Sequence, residues 1–241
     1  MPARLGEEVM VRPNVGPSAG TKLTTPSESL MHRFTDMLSQ VVPSLVVCHP
    51  LDYRCFMSAV VSQDAYDKLC GVLERAGSDR GVQRVCGGRA DPEVGYFVEP
   101  TVYVVREPAH ELLCDEIRGP VLAVCSFPDN DPQALVWAMA QTPYAISGSI
   151  FARDKEWTRW AVGALRDFSA TLYLNDRCSE ELPGQQSVGG TRKSSSSGAK
   201  AGSISYLLQF ATERSLKESL CTSTSVTYSY MDEMPPSYMI K

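Results

Sequence analysis

The chain has 241 residues, of which 43% are hydrophobic and 21% are charged, and this composition is that of an ordinary globular protein. Its length suits one or two domains with a buried core. The formal net charge of -5 argues against broad binding to nucleic acids or anionic membranes. No apolar run approaches the roughly 20 residues that a membrane-spanning helix needs. We therefore expect neither a nucleic-acid partner nor a membrane partner.

The eight cysteines and three histidines are spaced too irregularly for a metal site. No two cysteines form a Cys-x-x-Cys pair, and the spacings match no zinc pattern. His32, His49 and His110 do not lie at metal-ligand spacing from one another. The simplest interpretation is a set of buried or surface thiols in a reducing compartment. We predict no metal site, and spacing alone identifies no Ser-His-Asp or Cys-His set either.

The first 25 residues contain scattered proline, glycine and threonine and show no apolar period. This pattern predicts a disordered lead-in over residues 1–25. The segment has no apolar signal core. Its early Glu7 and Glu8 are untypical of a mitochondrial presequence, which is rich in arginine and poor in acids.

From Pro26 onward, the sequence alternates between helix and strand patterns. The predicted helices carry apolar side chains at a 3.6-residue period and begin at or just after Ser27, Ser62, Asp131 and Asp154. The predicted strands, recognised by branched and aromatic side chains, cover residues 44–47, 82–85, 94–105, 121–126, 149–152 and 171–174. Such alternation predicts an α/β fold with a largely parallel sheet and crossover helices.

The sequence becomes less regular after residue 176. Residues 184–202 are polar and rich in glycine and serine. Within them, residues 192–197 predict a solvated loop, with a phosphorylation site directed by the basic residues as the alternative. A short helix is predicted within 206–220. Apolar and polar side chains alternate from Val226 to Tyr230, which predicts an edge strand in a C-terminal segment at 221–241.

The strongest candidate site residue is Glu116. It lies in an acidic turn with Asp115. Gly119-Pro120 end this turn, and the strand predicted at 121–126 follows. Ligand chemistry in α/β proteins is concentrated at the mouths of buried strands. The plain interpretation of Glu116 is a solvated carboxylate. The functional interpretation is an acceptor of hydrogen bonds from ribose hydroxyls, and the residues alone leave both open.

Several strings, in the right order, resemble the aldehyde dehydrogenase superfamily. Within it the chain looks closest to the delta-1-pyrroline-5-carboxylate dehydrogenases, also called glutamate semialdehyde dehydrogenases. The strings are Phe56-Met57-Ser58-Ala59-Val60-Val61, Gly95-Tyr96-Phe97-Val98-Glu99-Pro100, Glu116-Ile117-Arg118-Gly119-Pro120-Val121, Tyr144 to Phe151, Tyr173-Leu174-Asn175-Asp176, Gly184-Gln185-Gln186 with Gly189-Gly190, and Tyr206-Leu207-Leu208.

The resemblance implies a partial catalytic domain over 26–220 and an oligomerisation strand and tail over 221–241. It implies proline catabolism, in which NAD oxidises glutamate semialdehyde to glutamate after a cysteine thiolate attacks the carbonyl. It also implies homo-oligomers, or hetero-oligomers with full-length family subunits. The implied location is the mitochondrial matrix; because no presequence is visible, the alternative is the cytoplasm.

The chain departs from the family pattern at the functional positions. The resemblance begins just after the family's nucleophilic cysteine, and the general base and dinucleotide-binding domain have no counterpart here. Glu116 matches the ribose-binding glutamate, with Arg118 in place of a phenylalanine beside it. In the family's substrate loop, Glu180 and Glu181 replace a Gly-Ser pair, where carboxylates would repel a carboxylate substrate. Farther along the chain, Val188 stands in place of the phenylalanine of the family's downstream Pro-Phe-Gly-Gly run.

These departures predict a chain that is inactive alone, with no catalytic residue of its own. An alternative is a non-catalytic interaction or regulatory subunit that associates with full-length aldehyde dehydrogenases. A third hypothesis is an incomplete gene model of a longer product.

Overall fold

The computed structural model describes residues 10–14, 22–93, 95–144, 147–169, 171–176, 202–220 and 226–231. The strands in these ranges are β1 Met10–Asn14, β2 Lys22–Pro26, β3 Val82–Cys86, β4 Ala90–Asp91, β5 Phe97–Val98, β6 Thr101–Val105, β7 Val121–Val124, β8 Ser147–Phe151 and β9 Thr171–Leu174. The α-helices are α1 Glu28–Val41, α2 Gln63–Ser78, α3 Glu111–Cys114, α4 Pro132–Gln141, α5 Lys155–Ala164 and α6 Ile204–Leu207.

Seven of the described strands form one sheet in the order β3-β6-β7-β2-β1-β8-β9, and β4 and β5 form a separate ribbon. Neighbours are parallel at β6-β7, β7-β2 and β8-β9, and antiparallel at β3-β6, β2-β1 and β1-β8. Five strands therefore run in one direction, and only β1 and β3 oppose them within the described sheet. The predicted α/β class is confirmed, and the largely parallel sheet that was expected is a mixed sheet.

The predicted disordered lead-in at 1–25 is wrong for two of its segments. Met10–Asn14 and Lys22–Pro26 form β1 and β2. β1 pairs with β8 through five residue pairs, from Met10 opposite Phe151 to Asn14 opposite Ser147. Backbone pairing with distant strands fixes these segments, and such pairing leaves no periodic signature in a short polar sequence.

Three predicted strands also differ from the structure. Residues 44–47 contribute only an isolated bridge, between Val47 and Met57. The strand predicted at 94–105 is divided into β5 and β6, since Glu99 and Pro100 interrupt the pairing. The described part of the predicted oligomerisation strand contains a 3-10 turn at Ser229–Met231. An edge strand needs a partner backbone, and the described single chain offers none there.

The predicted helix starts are confirmed, and three of them carry a side-chain cap, whereas the Ser27 side chain makes no capping hydrogen bond. The Ser62 hydroxyl accepts from Ala65 N at 3.2 Å. Asp131 accepts from Gln133 N at 3.1 Å, and Asp154 accepts from Glu156 N and Trp157 N at 2.7 and 2.8 Å. Each side chain satisfies helix N–H groups that lack a partner within the helix. Among the described helices, none combines the length and apolarity required to span a bilayer.

The core lies between the sheet and helices α2, α4 and α5. Four of the five residues of β6 and three of the four of β7 are buried, so both faces of these strands are covered. The helices contribute the buried side chains Tyr66, Leu69, Ala76, Leu135, Ala138, Met139, Trp157 and Ala161. In contrast, α1 has no buried residue.

Leu135→Ala should lower the free energy of unfolding by about 2–5 kcal/mol, because it leaves a cavity at a fully buried position. Leu51→Ala makes the same chemical change at a side chain that is 82% exposed, and it should change stability by less than about 0.5 kcal/mol. Urea unfolding measures the free energy of unfolding of both variants. Equal reductions for Leu135→Ala and Leu51→Ala would contradict the assignment of Leu135 to the core.

Candidate functional site

The turn that carries Glu116 lies at the amino ends of two parallel strands. Thr101 is in register with Val121, so β6 and β7 begin side by side. Thr101 N–H donates to the Pro120 carbonyl at 2.8 Å, which ties the turn to the start of β6. Ligand sites in α/β proteins lie outside the carboxyl ends of the strands. Here the acidic turn precedes its strand and is therefore at the opposite edge.

Side chains in the turn alternate between the core and the solvent. Ile117 is buried, and Gly119 lies against the buried Leu69 of α2. A Cβ on Gly119 would lie 2.4 Å from Leu69 Cδ2 and 2.6 Å from Leu69 Cδ1. Glu116 and Arg118 alternate with these residues and are more exposed. The inward pair therefore anchors the turn, and the outward pair is presented at the surface.

Glu116 forms an ion pair within the turn. Arg118 Nη2 donates to Glu116 Oε2 at 3.4 Å, with the two side chains 81% and 27% exposed. An exposed pair of this kind contributes only about 0–1 kcal/mol. A carboxylate has about four lone-pair directions for hydrogen bonds. The half-buried Glu116 can therefore accept further bonds from vicinal hydroxyls, as the functional interpretation requires.

A second acid–arginine pair lies at the same edge, just before β6. Arg89 donates to Glu99 through Nη2 at 3.0 Å and through Nε at 3.3 Å. The hydrogen bonds from Arg89 lower the pKa of Glu99. Gly88 N–H donates to the Thr101 hydroxyl at 2.8 Å and holds the preceding turn against β6. Each of the two parallel strands thus starts after a carboxylate that is paired with an arginine.

The role of His110 was not predicted from the sequence. This residue fixes the position of the segment that leads to Glu116. Its Nδ1 accepts from Leu112 N at 3.1 Å and caps α3. Its Nε2 lies 3.1 Å from Asp79 Oδ2, in the turn between α2 and β3. An Nδ1 that accepts a hydrogen bond leaves the ring proton on Nε2, where it can be donated to Asp79. A polar residue just before the apolar Leu112-Leu113 pair was the available cap signal.

Asp79 anchors the other side of this contact. Gly81 N–H donates to its Oδ1 at 2.6 Å, and this bond, followed by the bond from His110, lowers the pKa of Asp79. Arg75 Nε also donates to Glu111 Oε1 at 3.1 Å and joins α2 to α3. The approach to the Glu116 turn is therefore fixed to α2 by two polar contacts.

The predicted substrate residues Glu180, Glu181 and Val188 lie outside the described residues. The described chain before them ends at the carboxyl end of β9. There, Asn175 Oδ1 accepts from Ala152 N at 2.9 Å, and its Nδ2 donates to the Ala152 carbonyl at 3.1 Å. This side chain joins the ends of β8 and β9. Asn175 has a φ of 54°, in the left-handed region that asparagine tolerates.

A surface cavity of about 320 Å³ lies elsewhere, between α1 and the carboxyl ends of β2 and β8. Its lining includes Phe34, Phe151, Arg33 and Arg153. It is separate from the Glu116 turn, which is at the opposite edge of the sheet. Among the described residues, no group of three or more His, Cys, Asp and Glu side chains could hold a metal ion.

Comparison with known proteins gives a consistent result. The model of the aldehyde dehydrogenase family matches residues 19–216. A probable delta-1-pyrroline-5-carboxylate dehydrogenase of Schizosaccharomyces pombe is 37% identical over 213 residues, which are 88% of this chain and 39% of that protein. A mitochondrial delta-1-pyrroline-5-carboxylate dehydrogenase of Dictyostelium discoideum is 33% identical over 205 residues, covering 85% of this chain and 37% of that protein.

Solved structures agree with the curated relatives. The Mycobacterium tuberculosis delta-pyrroline-5-carboxylate dehydrogenase bound with NAD superposes with a TM-score of 0.76 at 29% identity, over 86% of this chain and 37% of that chain. The present chain therefore spans less than two fifths of the length of these relatives.

Gly119→Ala should lower the free energy of unfolding by about 1–3 kcal/mol, because the added methyl group would overlap the packed Leu69 side chain. Gly77→Ala is the matched control. Nothing lies within 4 Å of its Cβ position near the end of α2, so it should be neutral or slightly stabilising. Urea unfolding measures both, and an unaffected Gly119→Ala variant would contradict the close contact.

Asp79→Asn should reduce stability at neutral pH, and the reduction should disappear in acid. Because the folded-state pKa of Asp79 lies below its ordinary value of 3.8, the contribution is present above that value and is lost as the pH falls through the lower folded-state pKa. Unfolding of the variant and the parent over a falling pH series tests this. Asp64→Asn, at an exposed pair with Lys68, is the control. A difference independent of pH would contradict the prediction.

Proposed function

The chain belongs to the aldehyde dehydrogenase family, and from this premise we propose that it supplies the ribose-contacting part of an NAD-dependent dehydrogenase of glutamate semialdehyde. The observation that carries the proposal is the placement of Glu116. Its carboxylate is half-buried on an anchored turn, with one weak intramolecular partner. The substrate class is inferred from the relatives, which are named as delta-1-pyrroline-5-carboxylate dehydrogenases.

The described residues fit one part of a bound dinucleotide. Glu116 suits a pair of ribose hydroxyls, because an ionised carboxylate accepts two donors at fixed reach. Pyrophosphate is commonly held where a glycine-rich turn opens a helix. The Gly87-Gly88 turn has positive φ angles but leads into β4, so this turn does not offer such a helix. NAD, when bound, accepts the hydride from the substrate carbon.

We propose further that the 241-residue chain does not catalyse this oxidation alone. No cysteine among the eight stands in a sequence context similar to the family's nucleophile. Burial raises the pKa of the Cys125 thiol to about 11, and burial together with Cys55 raises that of Cys48 to about 11. A thiol with such a pKa is almost wholly protonated at neutral pH, whereas the thiolate is the nucleophile.

The test combines the chain with the part of the Schizosaccharomyces pombe relative that it does not cover. The purified chain alone should form no NADH from NAD and glutamate semialdehyde above a buffer blank. Co-expression with the complementary part should give turnover. Glu116→Gln should then lower kcat/KM for NAD about tenfold or more, since a hydrogen bond to a charged group contributes ~1.5–3 kcal/mol.

Two controls make this experiment decisive. Asp64→Asn changes an exposed carboxylate that pairs with Lys68 on α2 and should leave kcat/KM for NAD nearly unchanged. Circular dichroism confirms that each variant is folded. Turnover by the chain alone would overturn the proposed inactivity, and equal kcat/KM values for Glu116→Gln and the parent would overturn the ribose role.

A second candidate function is a non-catalytic subunit that associates with full-length aldehyde dehydrogenases. The observation that favours it is the number of large apolar side chains exposed along the described chain. They include Met37, Leu51, Tyr53, Phe56, Val61, Phe210, Leu220 and Tyr228. Contiguous exposed apolar surface is typical of interaction sites, and Leu51, Tyr53 and Phe56 are exposed within one short segment. Co-purification with a full-length relative in a defined ratio would favour this function. A stable monomer that does not bind the full-length relative would exclude this function.

We also propose a mitochondrial location for the functional protein. The relatives from Dictyostelium discoideum and Danio rerio are both named as mitochondrial, and this supports the proposal. Fractionation of cells that express the protein from its own gene tests the location, with recovery in the cytosol as the opposing result.

A further inference from the structure

Residues 48–55 form a loop whose two ends are joined by backbone hydrogen bonds. Cys48 N–H donates to the Met57 carbonyl at 3.2 Å, and Phe56 N–H donates to the Val46 carbonyl at 2.8 Å. Val47 and Met57 form a parallel bridge beside them. The neck of the loop is therefore closed by the backbone, and Cys48 and Cys55 stand on its two sides.

The Cys55 thiol reaches the backbone of Cys48 across this neck. It donates to the Cys48 carbonyl at 2.9 Å and to the Met57 carbonyl at 3.0 Å. Both cysteines are free and partly exposed. Because the Cys55 sulfur already lies against the Cys48 backbone, the two residues need little backbone movement to bring their sulfur atoms to bonding distance, which is the geometric requirement for a disulfide.

The polar groups around the two thiols are engaged elsewhere and do not make a metal site with them. His49 Nδ1 accepts from Leu51 N at 3.3 Å. Asp52 is held by Arg54, whose Nε and Nη2 donate to its two oxygens at 3.0 and 2.7 Å. Within the described residues, no third ligand therefore joins the two sulfur atoms. Their remaining shared chemistry is oxidation to a disulfide.

We propose that Cys48 and Cys55 form a redox-sensitive dithiol that a peroxide oxidises to an intramolecular disulfide across the neck of the loop. One thiolate attacks a peroxide oxygen, which gives a sulfenic acid and releases hydroxide. The second thiolate attacks the sulfenic sulfur, forms the S–S bond and displaces a second hydroxide. Two thiols lose two electrons and two protons, and hydrogen peroxide becomes two water molecules. Glutathione reverses the reaction by thiol–disulfide exchange.

The disulfide would hold a surface that is already presented to the solvent. Leu51 and Tyr53 lie within the loop and are fully or almost fully exposed, and Phe56 follows it directly. Fixing the neck removes alternative loop conformations while leaving these side chains outside. Burial and the neighbouring Cys55 raise the pKa of Cys48 to about 11. Attack by the Cys48 thiolate is therefore slow at neutral pH and accelerates as the pH rises.

Tryptic peptide mapping of the oxidised full chain tests the proposal. Trypsin cleaves after Arg33, Arg54 and Lys68, so Cys48 and Cys55 fall in separate peptides, 34–54 and 55–68. The folded chain is treated with hydrogen peroxide at mildly alkaline pH, and the remaining thiols are blocked with iodoacetamide before digestion. We expect these two peptides to be recovered as one species, lighter than their sum by two hydrogen atoms. Glutathione should separate them.

Cys48→Ser and Cys55→Ser should each abolish the linked species. Cys70→Ser, on α2, is the matched control and should retain it. Circular dichroism establishes that each variant is folded. Absence of the linked species from the folded parent, with both cysteines recovered as alkylated or as sulfinic acids, would overturn the proposal. Linkage of Cys48 to several other cysteines in similar amounts would overturn it as well, because that result indicates unspecific oxidation.

Discussion

The insertion of β1 and β2 into the middle of the sheet is the constraint on which the rest of the structure depends. β2 is parallel to β7 on one side, and β1 is antiparallel to β8 on the other. These two strands are therefore the sole backbone connection between β3-β6-β7 and β8-β9 within the described sheet. The junction also encloses two buried hydroxyl groups. The buried hydroxyls of Thr25 and Ser149 lie on the strands flanking β1, and neither has a hydrogen-bond partner among the described residues. Each such group costs about 1–3 kcal/mol.

The position of Glu116 follows from the same sheet. β6 and β7 are parallel and in register, so the segments preceding them emerge together at one edge. The neighbours of Glu116 in the chain determine its orientation. Ile117 and Gly119 pack into the core, and because side chains alternate along the turn, Glu116 and Arg118 lie at the surface. The site therefore depends on packing against α2 more than on the ion pair, whose exposed geometry contributes little.

Local signals explain which parts of the fold were predictable from the sequence. The helices that begin after Ser62, Asp131 and Asp154 were predicted because the capping side chain and the apolar period lie within one short segment. β1 and β2 were missed because the strands that hold them in the sheet, β8 and β7, lie a hundred residues or more away in the chain. The edge strand expected at Val226–Tyr230 failed for a related reason, since alternation alone does not supply a partner backbone. Glu116 was identified through a motif, whereas His110 acts through contacts with Asp79 and Leu112 that spacing does not reveal.

Both candidate functions require the apolar surface around α1 and the loop 48–55 to be covered. Helix α1 has an amphipathic sequence but no buried residue, so its packing energy is only partly realised within this chain. The adjoining loop adds Leu51 and Tyr53, both exposed. A partner that covers such a surface gains apolar burial but must also order the loop on binding. A disulfide between Cys48 and Cys55 would order it beforehand. Oxidation would then strengthen association without adding any contact, whether the partner is the remainder of a dehydrogenase or another subunit.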